Sequence, residues 1–278
     1  MMTLVYIELQ KIFRKWRTYI GFMALFAMTL IVQLALYFTQ DDFVRGVTRS
    51  MSDQFVLQGN FFNGYSVAYI ILNAMFIHIP FLIVLVGGDL FAGEATAGTY
   101  RMILTRPVSR FSLVTSKYLA GFFYTFLFIL FLLVISLGVS LIFFGSGELI
   151  VVKSKIFIYA PEDVLWRMIS AYAFATLSMM TVMSLSIFFS SLVSNAIGPI
   201  VTTMAVIIVF LILSTIPIEF LQSLRPYFFT SHLIQWDEFF ADPVDYTELS
   251  KSASVLIGHI IALYALTAFS FIRKDILS

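Results

Sequence analysis

Residues 118–144 read YLAGFFYTFLFILFLLVISLGVSLIFF, and they contain no Asp, Glu, Lys or Arg. A helix needs about 20 mostly apolar residues to cross a hydrocarbon layer of about 30 Å at 1.5 Å per residue. This stretch exceeds that length, and five more do the same work. The predicted spans are Tyr19 to Phe38, Val67 to Gly88, Tyr118 to Phe144, Met168 to Ser190, Ile197 to Ile216 and Ala253 to Ile272. The chain is therefore expected to be an all-α integral membrane protein with a single six-span domain over residues 1–278.

Composition supports that class. Of 278 residues, 60% are hydrophobic and 12% charged, and 31 are Phe. An ordinary aqueous domain carries roughly 25% charge, and one core of this length cannot enclose so much apolar surface. The formal net charge of +1 offers no footprint for nucleic acid. With no Cys, disulfides, thiolate metal sites and a Cys nucleophile are excluded.

Ten of the 17 basic residues fall on the side of the termini: Lys11, Arg14, Lys15 and Arg17; Arg101, Arg106, Arg110 and Lys117; Arg273 and Lys274. That excess predicts cytoplasmic termini in a multi-pass protein of the cell membrane. The first span is too long, and lacks the small-residue cleavage pattern, to be a removed signal peptide. Residues 1–18 are expected to form an amphipathic surface helix, with Val5, Leu9, Ile12 and Trp16 on one face and Glu8, Lys11 and Lys15 on another.

The connection GDLFAGEATAGTYRMILTRPVSRFSLVTSK, residues 88–117, is too structured for a linker. Glu94 to Leu104 is expected to form a short helix ended by Pro107, with Ser109 capping a second helix that runs through Lys117 into the third span. Met102, Ile103 and Leu104 give it apolar surface, ringed by Arg101, Arg106 and Arg110. That composition suits docking on a protein, and equally suits binding anionic headgroups.

In this region the chain resembles the membrane-spanning permeases of type-2 ABC exporters. Glu94, Gly98, Thr99, Leu104, Pro107, Ser109, Arg110 and Lys117 follow the order of that family's signature. SSLVSNA at residues 190–196 is a second partial match. The resemblance implies that residues 89–117 are a cytoplasmic coupling region seated in a groove of a separate ABC ATPase subunit, with Glu94 through Arg110, including Arg101 and Arg106, as coupling residues. It further implies a second permease copy, identical or related, and outer re-entrant helices over residues 217–252 that close the path.

No G-x-x-x-x-G-K-[ST] occurs, and GEATAG at residues 93–98 lacks the lysine and hydroxyl that hold phosphate and magnesium. ATP and magnesium are thus expected on the partner, with no catalytic group, metal or cofactor bound by this chain. A self-sufficient channel or secondary transporter, and an intramembrane enzyme, are the alternatives. Against the enzyme, the Gly64-Tyr-Ser66 run has only His78, three turns deeper, for company.

Polar groups within spans are costly and should face protein or water. Gln33, Asn73, His78 and His259 are of this kind. Asn73, His78, Pro80 and His259 are candidates to line a route or form a hinge, Pro80 by freeing a backbone carbonyl. For His78 and His259 the plainer expectation is an interhelical hydrogen bond. Met179, Met180, Met183 and Met204 are soft donors but scattered, and are read as lipid-facing or packing residues. Residues 145–167 are read as an interfacial cap, with Pro161 and its following acids starting the fourth span. The prolines of 217–252 suggest short broken helices, either re-entrant or a surface loop anchored by Trp236.

Overall fold

The computed structural model describes residues 1–49, 62–100, 108–153 and 155–274. Helices dominate. Six among the described residues are long and apolar enough to cross a membrane: Trp16–Thr39, Ile79–Thr96, Arg110–Phe144, Pro161–Leu192, Ile197–Thr215 and Tyr246–Arg273. They follow the six predicted spans in order, the second overlapping its prediction only over residues 79–88, so the chain is a multi-pass membrane protein.

Helix α1, Met2–Arg14, precedes α2, Trp16–Arg49, with a break at Lys15, whose backbone is extended. Trp16 therefore begins the next helix and is exposed, instead of completing the apolar face of α1. Glu8 also departs from expectation: it is buried beside Ile12, on the face that meets the protein.

The second span is broken. Helix α3, Gly64–Phe76, stops at the turn of Ile77 and His78, and α4, Ile79–Gly87, restarts with Pro80 in its first turn. Pro80 has no N–H to give the preceding turn, as its position in the sequence foretold. Gly64 is required sterically: a Cβ there would stand 2.7 Å from the Cα of Leu141 in the third span. Helix α5, Asp89–Thr96, continues the span to its end.

The third span begins as α6, Arg110–Leu133, with the Ser109 hydroxyl accepting from the Ser112 N–H at 3.1 Å, the expected cap. It passes through one wide π-helical stretch, Val134–Gly138, and ends as α7, Val139–Phe144. The side chain of Gln33 crosses from α2 and donates to the Ile135 carbonyl at 2.9 Å and to Ser140 Oγ at 3.0 Å. The polar group is thus satisfied by protein just where the helix widens.

A hairpin absent from the all-α expectation follows. Strands β1, Leu149–Val152, and β2, Ile156–Tyr159, pair antiparallel with Leu149 opposite Tyr159. Leu149, Val151 and Tyr159 face inward, and Arg167 stacks over Tyr159 at 4.3 Å. The interfacial cap is therefore a strand pair followed directly by α8, Pro161–Leu192, whose first turn carries Glu162 and Asp163 as predicted.

Helix α8 and the second span are the most enclosed: 67% of the most apolar window of each is buried inside the protein, against 22% for the first, fifth and sixth spans. Lipid supplies no hydrophobic drive between helices, so close approach of small residues matters more. Ala171, Ala175, Ser178, Ser184, Ser186 and Ser190 of α8 are all fully buried. Met179 and Met183 are buried among them as packing residues.

The fifth span is α9, Ile197–Thr215. Helix α10, Glu219–Leu224, a 3₁₀ turn at Arg225–Tyr227, α11, Phe229–Leu233, and a 3₁₀ helix at Ile234–Phe240 make the expected run of short broken pieces. The last span, α12, Tyr246–Arg273, starts earlier than expected because Asp245 caps it, accepting from the Thr247 and Glu248 N–H groups. Residues 246–252 therefore belong to that span and not to the broken region.

Candidate functional site

Charges that hydropathy places between the spans converge at the end of the bundle holding α1 and the close of α12. Lys117, at the root of the third span, is fully buried. Its Nζ lies 2.8 Å from Glu8 Oε2 of α1 and 2.8 Å from Glu94 Oε2 of α5, and donates to the Leu90 carbonyl at 2.8 Å. Lys11 Nζ stands 2.6 Å from the other oxygen of each carboxylate. Two lysines and two glutamates thus alternate around a neutral ring that joins three elements far apart in sequence.

Each ion depends on the others. Burial acts to raise the Glu8 carboxyl, and Lys117 with Lys11 more than reverses it, holding Glu8 below the usual carboxylate range. Burial likewise acts to lower the Lys11 ammonium, and Glu8 and Glu94 carry it above its ordinary value instead. Beside the ring, Asp89 takes Lys15 Nζ at 2.6 Å and Arg17 Nη1 at 3.3 Å, tying the break between α1 and α2 to the second span.

The remaining signature residues fix the two ends of the connection. Gly98 has φ +64°, the left-handed conformation that closes α5 at Ala97, so the helix expected from Glu94 to Leu104 is interrupted at residues 97–99, and its residues 101–104 lie outside the described residues. Thr99 donates to the Glu94 carbonyl through both its N–H and its hydroxyl. Tyr100 donates to the Phe91 carbonyl at 2.7 Å, with its ring on Phe271. At the far end, Arg110 Nη1 donates to the carbonyls of Phe271, Ile272 and Lys274, closing the C-terminus of α12. Glu94 and Arg110 therefore face inward as anchors of the connection to which the resemblance gives a coupling role. Arg101, Leu104, Arg106 and Pro107 lie outside the described residues.

The SSLVSNA segment braces the same end. Ser190 Oγ accepts from the Phe91 and Ala92 N–H groups and donates to the Gly88 carbonyl at 2.6 Å. Thr96 donates to the Ser194 carbonyl at 2.9 Å.

A second feature lies at the break between α3 and α4. A cleft of about 760 Å³ opens between that break, the fifth span and the short helices after it. Asn73, His78 and Pro80 line it together; His259 does not. His78 and His259 each bond a carbonyl one turn earlier in their own helix, Ala74 and Val255, both at 2.9 Å. Neither forms the expected interhelical bond among the described residues, because an imidazole reaches the carbonyl four residues back without leaving its own segment. The carbonyl bond makes Nδ1 the donor and leaves Nε2 for other partners.

The sequence reading missed His232. It is buried, with Nδ1 2.8 Å from Ser252 Oγ and Nε2 2.9 Å from the Pro226 carbonyl, and it straps the short helices to α12. Glu8 and Lys11 were also missed as ring members. The available signal was position: Glu8 falls three residues after Val5 and four before Ile12, on the apolar face itself.

The family model for DUF2705, described as a protein of unknown function, matches residues 24–277. The chain is also similar to the uncharacterized protein YhcI of Bacillus subtilis, at 34% identity over 86 residues, which are 30% of this chain and 28% of that protein's length.

Proposed function

The chain belongs to the DUF2705 family, whose function is unknown, and from that premise we propose that it is the permease subunit of a type-2 ABC exporter. Its termini then face the cytoplasm, a separate ABC ATPase binds ATP and magnesium, and a second permease copy, identical or related, completes the path.

One observation carries this reading: the connection between the second and third spans is clamped at both ends. Its first end is tied through Glu94 to α1 and the third span, and its second end through Arg110 to the last span. A push on residues 101–107 is thereby delivered to rigid roots of three spans and the surface helix, which is what a coupling element requires. The ring resists shear, because separating either buried glutamate from its lysines strands a charge that water reaches poorly. The break at His78 and Pro80 supplies a hinge, and the short helices between α9 and α12 form the outer gate.

Arg101→Glu with Arg106→Glu tests the reading. Reversing both charges should lower co-purification of the ATPase by at least about tenfold, while the variant inserts and folds as before. Unchanged association and unchanged ATP-driven transport would reject it. A second reading, a self-sufficient secondary transporter, is favoured only by the cleft at His78; it requires transport in vesicles by this chain alone.

A further inference from the structure

We infer that the cleft beside His78 is a binding site for lipophilic organic cations, which makes such cations the substrate class of the exporter proposed above. The assignment rests on that reading for the direction of transport but not for binding itself.

The walls are apolar. Ile77 and Phe81 on one side and Ile208 and Leu211 on the other line a space of about 760 Å³. That is the volume of a drug-sized ligand site, commonly about 300–1,000 Å³. An apolar space alone would hold lipid without preference; the polar groups here give it a sign.

Asp237 and Glu238 both line the cleft, and no Lys or Arg among the described residues does. Asp237 is already neutralised, by Lys153 Nζ at 2.7 Å and the Tyr69 hydroxyl at 2.8 Å. Glu238, half-buried on the 3₁₀ helix, has no side-chain partner among the described residues. A carboxylate removed from much of its water and left unpaired is the group that a cation would satisfy.

Neighbouring groups reinforce this. Phe76, Phe81 and Trp236 line the same cleft, an aromatic environment that suits a diffuse cation. The amides of Asn73 and Gln235 carry no intramolecular side-chain bond among the described residues and complete a polar side. Anionic amphiphiles, phospholipids with net negative headgroups among them, meet the unpaired carboxylate of Glu238 and are disfavoured.

The test uses the full chain, purified alone in nanodiscs of zwitterionic lipid, with tetraphenylphosphonium and tetraphenylborate as probes of nearly equal size and opposite charge. After subtraction of empty nanodiscs, the cation should bind saturably and the anion should not. Glu238→Gln should weaken the cation about tenfold, Ile208→Trp should weaken it by narrowing the cleft, and Glu219→Gln, on the exposed α10, should change nothing. Equal binding of the two ions, or an unchanged affinity in folded Glu238→Gln, overturns the proposal; the two-ion comparison decides the matter without any variant. Cation binding without ATPase association would sink the exporter and keep the site, and the reverse result would do the opposite.

Discussion

Replacing Lys117 with Met keeps most of the side-chain volume beside Phe91 and removes the charge. Its Nζ serves Glu8, Glu94 and the Leu90 carbonyl at 2.8 Å each, with none of the side chain exposed. The change leaves two carboxylates whose side chains are 4% and 8% exposed, with Lys11 alone between them. Removing one partner of a buried pair costs about 3–5 kcal/mol. Lys11, which is 37% exposed, remains to serve both acids and holds the expected loss near the lower end, about 3 kcal/mol. Adding Glu94→Gln to Lys117→Met removes one stranded charge, so the double variant should lose less than the sum of the single losses, by about 1–3 kcal/mol. The assay is unfolding in mixed micelles across a series of dodecyl sulfate fractions, followed by circular dichroism. A loss under about 0.5 kcal/mol for Lys117→Met, or strict additivity, would refute the ring as a structural unit.

The same ring sets a pH range. Glu8 is held low, so its contribution is present above the ordinary carboxyl value near 4.5 and is lost as pH falls through its folded value. Lys11 is held high, so its share is present below 10.5 and is lost as pH rises past its folded value. Stability in micelles should therefore plateau between those limits and fall on both sides, and Glu8→Gln should flatten the acid limb. Gly64→Val should cost about 1–3 kcal/mol, because a Cβ 2.7 Å from the Cα of Leu141 forces the second and third spans apart; wild-type stability in that variant would contradict the packing.

The spans were legible because each needs only length and a lack of charge, and the break at Pro80 and the cap at Ser109 were legible because single residues dictate them. The ring was not. Glu8, Lys11, Glu94 and Lys117 each look like ordinary interfacial charges, and only the fold brings them together across more than a hundred positions. An amphipathic reading of α1 by apolar residues alone also hides a carboxylate that shares their face. The hairpin was missed because Leu149–Val152 and Ile156–Tyr159 are short apolar runs flanking Lys-Ser-Lys, where helical and strand periods cannot be told apart. The cleft combines Asn73 and His78 with Glu238, from segments that have nothing in common in sequence but meet at the broken second span.

The central claim is that residues 101–107 receive force from a separate ATPase. Leu104→p-benzoylphenylalanine, expressed in cells that carry the full system and exposed to ultraviolet light, tests it most directly. The account predicts a covalent adduct with a nucleotide-binding polypeptide that carries the G-x-x-x-x-G-K-[ST] loop this chain lacks. Crosslinks to lipid alone, in a preparation that still transports, would contradict it.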